Sequence, residues 1–293
     1  MAAGGAEAGA AGATAALGGA CIVMVAPNGA RRTRADHPAL PIGPDALAAT
    51  ARAGMEAGAS AIHFHVRDRE GRHTLDPDAY RAALGAIRQA VGDGLVCQVT
   101  TEAVGCYTPA EQMALVRALR PEAVSLALRE LVPDAAGEAA AASFLRWLAE
   151  ETDCLPQVIL HDASDLDRFA DLRRRGVIPD GPASLLFVLG RYADGQAGHP
   201  RELPPLVAAM PGDCLFSVCC FGPTETACAL TAAALGGHSR VGFENNTKLV
   251  DGRDALDNAD QVTRLAGALH LLGRPPAEAS HTREVFSRYR LAR

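Results

Sequence analysis

Two histidines one residue apart, in the run Ile62-His63-Phe64-His65-Val66-Arg67-Asp68, are residues whose type and spacing could do chemistry. On an extended strand, side chains at i and i+2 share a face, so His63 and His65 present two imidazoles side by side. Such a pair is half of a metal site, although a short His-x-His pattern also occurs where two histidines make separate core hydrogen bonds. A second run, Arg240-Val241-Gly242-Phe243-Glu244-Asn245-Asn246, places a carboxylate at the end of an apolar segment. A carboxylate there is costly to bury unless something pairs with it. A cation would do so, and two His with one Glu leave the open position of a catalytic zinc site. Arg240 lies four residues before Glu244, an even spacing that puts both on one strand face. An Arg240–Glu244 ion pair without metal is the competing reading.

Further polar groups follow other apolar runs. Gln98-Val99-Thr100-Thr101-Glu102 brings two hydroxyls and a carboxylate suited to substrate binding and proton transfer. Threonines at a strand end also reflect plain β propensity, and Glu102 could simply pair with Arg129 or Arg67. Asn28 and Arg31 follow the first run and Arg129 the fourth. Arginine grips a carboxylate in a bidentate fork, so Arg31 and Arg129 at one mouth suggest an anionic substrate. His73, His161, His238 and His270 have no partner at ligand spacing and read as structural or exposed. Cys219-Cys220-Phe221-Gly222 offers a slight signal for phosphate approach to the backbone.

The elements that must position these groups alternate regularly. Strand patterns cover Cys21–Pro27, Ala61–Val66, Leu95–Thr100, Ala123–Leu128, Gln157–His161, Ser184–Leu189, Leu215–Cys220 and Ser239–Glu244. Amphipathic stretches lie between them, at Pro44–Ala57, Pro77–Val91, Pro109–Leu119, Glu138–Glu151 and Thr224–Leu235, with a last one at Asn258–Leu272. Asp76-Pro77 and Thr108-Pro109 place a capping side chain before Pro at the first helical position. Gly58, Gly92 and Gly236 follow helix ends, where a left-handed residue is favoured. Repeated β-then-α units imply a parallel sheet. An open doubly wound sheet would want G-x-G-x-x-G after the first strand, but Pro27-Asn28-Gly29-Ala30-Arg31 stands there. Eight regular units favour a closed TIM (β/α)8 barrel, in which catalytic groups sit at the C-terminal strand ends.

Composition agrees. A chain of 293 residues has room for one such barrel, and 48% hydrophobic residues fill one large core. With only 4% aromatics that core must be aliphatic. A net charge of -6, with basic residues spread along the chain, argues against a nucleic-acid binder. The short cluster Arg173–Arg175 falls in a helical pattern and reads as a solvated face. None of the eight cysteines forms a C-x-x-C pair, so neither a disulfide framework nor a cysteine zinc site is indicated, as fits a reducing cytoplasm. Residues 1–19, nearly all Ala and Gly, lack the positive start of a secretory signal and the bulk to cross a membrane. They are expected to be a flexible tail before a single barrel domain over residues 20–293. The chain is expected to be soluble, with no membrane partner.

These motifs taken together resemble the β-keto acid cleavage enzymes, whose founding activity is 3-keto-5-aminohexanoate cleavage. The resemblance rests on the Pro27-Asn28-Gly29-Ala30 turn, His63 to Asp68, Val99-Thr100-Thr101, and Arg240 to Asn246, and spans residues 20 to about 275. It implies a TIM barrel, a homotetramer, and Zn²⁺ on His63, His65 and Glu244. It also implies exchange of a β-keto acid with acetyl-CoA to give acetoacetate and a new acyl-CoA. Arg240 and Thr100 are implied as catalytic residues; Asn28, Arg31, Thr101, Arg129 and Asn245 are expected at the substrate. The family's founding member has an Asp where this chain has Asn245, so Glu102 becomes the candidate for proton transfer. It also has a Glu, facing the substrate's amino group, where this chain has Arg31. Reversal of charge at a recognition position should reverse the preferred substrate charge. A metal-dependent aldolase or hydrolase on the same barrel is the alternative enzyme; a metal- or metabolite-binding regulator is the non-enzyme alternative.

Overall fold

The computed structural model describes residues 19–291 apart from 193, 194 and 196. The tail expected over residues 1–19 therefore lies, Gly19 excepted, outside the described residues. The barrel strands are β1 (Val23–Val25), β2 (Ala61–Phe64), β3 (Val96–Thr100), β4 (Ala123–Ala127), β5 (Leu155–Leu160), β6 (Ala183–Leu189), β7 (Cys214–Cys220) and β8 (His238–Val241). All pairings are parallel, and the sheet closes because β1 pairs with both neighbours: Val23 lies opposite Ser239 of β8 and Met24 opposite Ala61 of β2. The TIM barrel expected from the eight repeats is the observed fold.

Helices α1 (Pro44–Glu56), α2 (Pro77–Val91), α3 (Pro109–Leu119), α4 (Glu138–Glu151), α5 (Ala163–Arg174), α6 (Leu203–Ala209), α7 (Glu225–Ala234) and α8 (Asn258–Leu271) wrap the sheet, and α9 (Ala279–Arg288) follows. Their starts are written locally. The Asp76 side chain accepts from the Asp78 amide of α2, and Thr108 with Glu111 forms a reciprocal capping box on α3. Asp162 caps α5 through the Asp165 amide, fixing the chain just beyond β5.

Alternation along the strands sorts the interior into layers. Ile62, Phe64, Cys97 and Val99 face outward and pack with Leu47, Tyr80 and other helix residues in the main core. Inward positions near the strand starts, Met24, Ala61, Val96, Ala123 and Leu155, form an apolar floor that Phe286 of α9 joins. Above it the inward positions turn polar. Gln98 donates to Gln157 at 3.2 Å, and Gln157 donates to Ser184 and Ser217, both at 3.3 Å, so these buried groups satisfy one another across the barrel.

The expected strands at the two key runs are too long. β2 stops at Phe64, and Val66–Arg67 instead pairs with His73–Thr74 in a small hairpin outside the barrel. β8 stops at Val241 rather than Glu244, because Gly242 adopts φ +143° and turns the chain. An added Cβ at Gly242 would lie 2.4 Å from the Ala26 carbonyl oxygen, so only glycine fits this close approach to β1.

Candidate active site

At the C-terminal mouth, His63, His65 and Glu244 offer ligand atoms that all lie within 4.8 Å of one another; among the described residues no other group of three or more His, Cys, Asp and Glu is so placed. Nε2 of His63 and Nε2 of His65 each lie 3.5 Å from Oε2 of Glu244. Atoms held about 2.0–2.2 Å from a tetrahedral metal ion are about 3.3–3.6 Å apart, and the two His–Glu244 separations are of that size.

The hydrogen bonds point the same way. Nδ1 of His63 lies 2.8 Å from Oε1 of Gln98, an oxygen that can only accept, so Nδ1 carries the proton and Nε2 is left with its lone pair. Neither ring nitrogen of the fully buried His65 has a hydrogen-bond partner, nor has Oε2 of Glu244. Buried polar atoms are rarely left so, and a cation would satisfy Nε2 of His65 together with Oε2 of Glu244. Burial lowers the pKa of His63 to about 3, which keeps the ring neutral and able to ligate. Burial works against ionisation of Glu244, but Arg240 first, and then the two imidazoles, hold its carboxyl well below the usual carboxylate range.

Each ligand has its own support. Asn28 accepts from the His65 amide at 3.1 Å and donates to the His65 carbonyl at 2.9 Å and to that of Pro41 at 3.0 Å. The turn after β8 is held by Glu225, the first residue of α7. Its buried carboxyl accepts from the Gly242 amide at 3.0 Å and from the side chains of Asn245, Asn246 and Gln261. Burial pushes its pKa up to about 8. Arg240 donates to Glu244 and Asn245, both at 3.0 Å. Gly29 sits against Glu244 with φ +61°, and a Cβ there would meet Cγ of Glu244 at 2.7 Å.

A pocket of about 850 Å³, open to solvent, lies over this group. Thr100, Glu102, Arg31, His63, Arg240 and Glu244 all line it. Thr100 Oγ1 accepts from the Glu102 amide at 3.1 Å. Glu102 pairs with Arg191 at 3.1 Å, not with Arg129 or Arg67, and its other oxygen is 3.8 Å from Nδ1 of His65. Arg31 is exposed at the rim and, among the described residues, makes no hydrogen bond or ion pair.

Three expected substrate contacts lie outside the pocket, and the fourth borders it. Arg129, in the one-turn helix Leu128–Leu131, is not in the pocket; it is ion-paired to Asp165 at 2.7 Å and to Asp162. Thr101 spends its hydroxyl on the Ser125 carbonyl at 2.9 Å, on the outward side. Asn245 is buried between Arg240 and Glu225. Asn28 reaches the pocket wall, but all three of its side-chain hydrogen bonds go to backbone.

The structure also adds residues not singled out from the sequence. Gln98 and Glu225 act on the ligands from other elements, Arg191 and Tyr192 come from the segment after β6, and Ser125 presents a buried, unpartnered Oγ to the pocket. His161, read as structural or exposed, lines the pocket with Nδ1 on Asp165 at 3.2 Å. An inward register would have flagged Gln98 and Ser125; the others depend on contacts distant in sequence.

The fold and its mouth define the class: a (β/α)8-barrel enzyme with a buried two-histidine, one-carboxylate group able to hold a metal ion. Residues 20–287 match the beta-keto acid cleavage enzyme family, and the chain belongs to it. It is similar to the 3-keto-5-aminohexanoate cleavage enzyme of Acetoanaerobium sticklandii, 30% identical over 272 residues covering 90% of this chain and 97% of the relative. It is also similar to the 3-oxoadipate:acetyl-CoA acetyltransferase of Cupriavidus necator, 27% identical over 273 residues covering 91% of this chain and 94% of the relative. Among solved structures, a ternary complex of ObcA with a C4-CoA adduct and oxalate superposes with a TM-score of 0.68 at 19% identity, over 85% of this chain and 67% of that one, a likeness of fold.

Proposed function

We propose that this enzyme exchanges a β-keto acid with acetyl-CoA, giving acetoacetate and a new acyl-CoA, with Zn²⁺ on His63, His65 and Glu244. In the net reaction the carboxymethyl group passes from the substrate's acyl carbon to the acetyl carbon, and CoA passes the other way. The observation that carries the reading is the set of unpartnered ligand atoms at the mouth of a barrel of this family. A divalent cation bound there supplies Lewis-acid polarisation of a keto oxygen without redox change.

The chain's own residues do the rest. Arg240 fixes the Glu244 carboxylate and adds positive charge where an oxyanion develops. Glu102, on the pocket wall, takes a proton from the methylene between the keto and carboxylate carbons of the β-keto acid. That carbon attacks the acetyl carbonyl, and the displaced CoA thiolate then attacks the substrate's keto carbon, releasing acetoacetate as Glu102 returns the proton. Thr100 holds the Glu102 backbone in place. Arg31 at the rim favours a keto acid whose side chain is anionic or polar. A homotetramer and a cytoplasmic location complete the reading.

A panel of β-keto acids with acetyl-CoA, assayed for acetoacetate, tests it. Turnover that does not need acetyl-CoA would point instead to an aldolase or hydrolase. Metal analysis of protein prepared without chelator should find about one zinc per chain, and His65→Ala should lose both metal and turnover while staying folded. Full activity in metal-free protein would remove the metal from the reading.

A further inference from the structure

We infer that His161, backed by Asp165, receives the distal carboxylate of the keto acid and so selects the substrate. The inference rests on the acyl-exchange reading above. His161 follows β5, which lies four strands from β1 in either direction around the closed barrel. The ligand residues come from β2 and from the turn after β8, the two neighbours of β1. His161 therefore faces them across the mouth, and both border the same pocket. A keto acid anchored by its keto end at the ligand group extends its far end toward His161.

The imidazole is built to donate there. Oδ2 of Asp165 accepts from the His161 amide at 2.8 Å and lies 3.2 Å from Nδ1. Oδ1 of the same carboxylate accepts from Nε of Arg129 at 2.7 Å. The ring also packs on Tyr192 at 4.8 Å between centroids. With Nδ1 taken, Nε2 is the nitrogen left for the pocket. Burial works against the charge of Asp165, but the hydrogen bonds from His161 and Arg129 keep its carboxyl below the usual range. With Nδ1–H held on Asp165, the protonated ring presents Nε2–H as a charge-assisted donor to an anion.

The other charged groups nearby are committed elsewhere. Glu130 accepts from the Ala103 amide at 2.8 Å and from Gln112 at 3.1 Å. Glu102 is paired with Arg191, and Asp162 with Arg129. Arg129, expected from the sequence to meet the substrate itself, thus acts through Asp165 on the ring that does.

The test compares two keto acids of equal carbon count, 3-oxoadipate and 3-oxohexanoate, which differ in the distal carboxylate. In the unmutated enzyme with acetyl-CoA, kcat/KM should favour 3-oxoadipate by about tenfold or more. His161→Gln should reduce that ratio by about tenfold, with the loss in KM for the dicarboxylate rather than in kcat. Asp165→Asn, which leaves the ring in place, should lower the ratio in the same direction and serves if the first variant does not fold. Calorimetric binding of 3-oxoadipate without acetyl-CoA should weaken in the same order. An unchanged ratio in a folded, metal-replete His161→Gln protein, or a native preference for 3-oxohexanoate, overturns the inference. If neither keto acid exchanges with acetyl-CoA, the acyl-exchange reading fails, and the binding comparison still decides the role of His161.

Discussion

Glu102 and Arg31 border the same pocket yet differ in how they are held. Glu102 is tied by Arg191 and sits 3.8 Å from Nδ1 of His65, so it is placed with respect to the ligands. Asn245 lacks a titrating group and is locked between Arg240 and Glu225, so the proposed proton transfer is assigned to Glu102. Glu102→Gln should lower kcat by about a hundredfold or more with metal content unchanged. Near-normal kcat would reduce Glu102 to the ion-pair partner of Arg191. Arg31, by contrast, has no partner among the described residues and is exposed at the rim. A guanidinium there repels an ammonium and can fork onto a carboxylate. Arg31→Glu should therefore lower kcat/KM on 3-oxoadipate and raise it on 3-keto-5-aminohexanoate, shifting the ratio about ten- to a hundredfold. An unmoved ratio would show that Arg31 turns to solvent.

The element on which the ligand group depends most is the turn after β8. Strand alternation alone would have carried Glu244 into the barrel on the face of Arg240. The chain instead leaves the strand at Gly242, and Glu244 returns over the mouth from a turn. That turn is secured from outside itself, by Glu225 of α7 through Gly242, Asn245 and Asn246. Glu225→Ala would strand several buried donors and should cost about 2–4 kcal/mol of stability. It should also weaken zinc binding by about 10–100-fold, as loss of an outer support does. Thermal melting and competition with a chelating dye would measure the two effects. Native zinc affinity in a folded Glu225→Ala protein would mean that Arg240 alone positions Glu244.

Closure of the barrel gives the whole molecule a pH dependence. His238 on β8 accepts from the Ile22 amide through Nδ1 at 3.0 Å, across the seam with the β1 segment. Burial first, then the nearby Arg274, lowers its pKa from 6.5 to about 3. The unfolded chain therefore binds a proton that the folded chain refuses between those values. The contribution of His238 is fully present above pH 6.5 and is lost as pH falls toward about 3. His238→Gln keeps an acceptor for Ile22 and should flatten the fall of Tm with acid across that window. An identical acid profile in the variant would show that other groups govern acid unfolding.

The closed barrel and the convergence of His63, His65 and Glu244 were legible in the sequence, because each depends on short-range regularity. Eight strand-then-helix units can close only as a parallel barrel, and a mouth is then the place for polar residues at strand ends. His63 and His65 share a face by local geometry, and a Glu244 buried after an apolar run needs a positive partner, a metal ion or Arg240. What the partners of each polar residue are was not legible, since those contacts join residues far apart in the chain or depend on how a turn folds back. Arg129 resembles a substrate grip until Asp162 and Asp165, on and before α5, are brought against it. His161 looks partnerless at ligand spacing, yet the capping turn of α5 puts Asp165 behind its ring. Asn28 and Asn245 sit beside the ligands in the motifs, and only the packing of β1, α7 and the β8 turn commits their side chains to holding His65 and Arg240. Sequence spacing fixes which side chains can converge; hydrogen-bond competition in the folded mouth decides which of them remain free to meet a ligand.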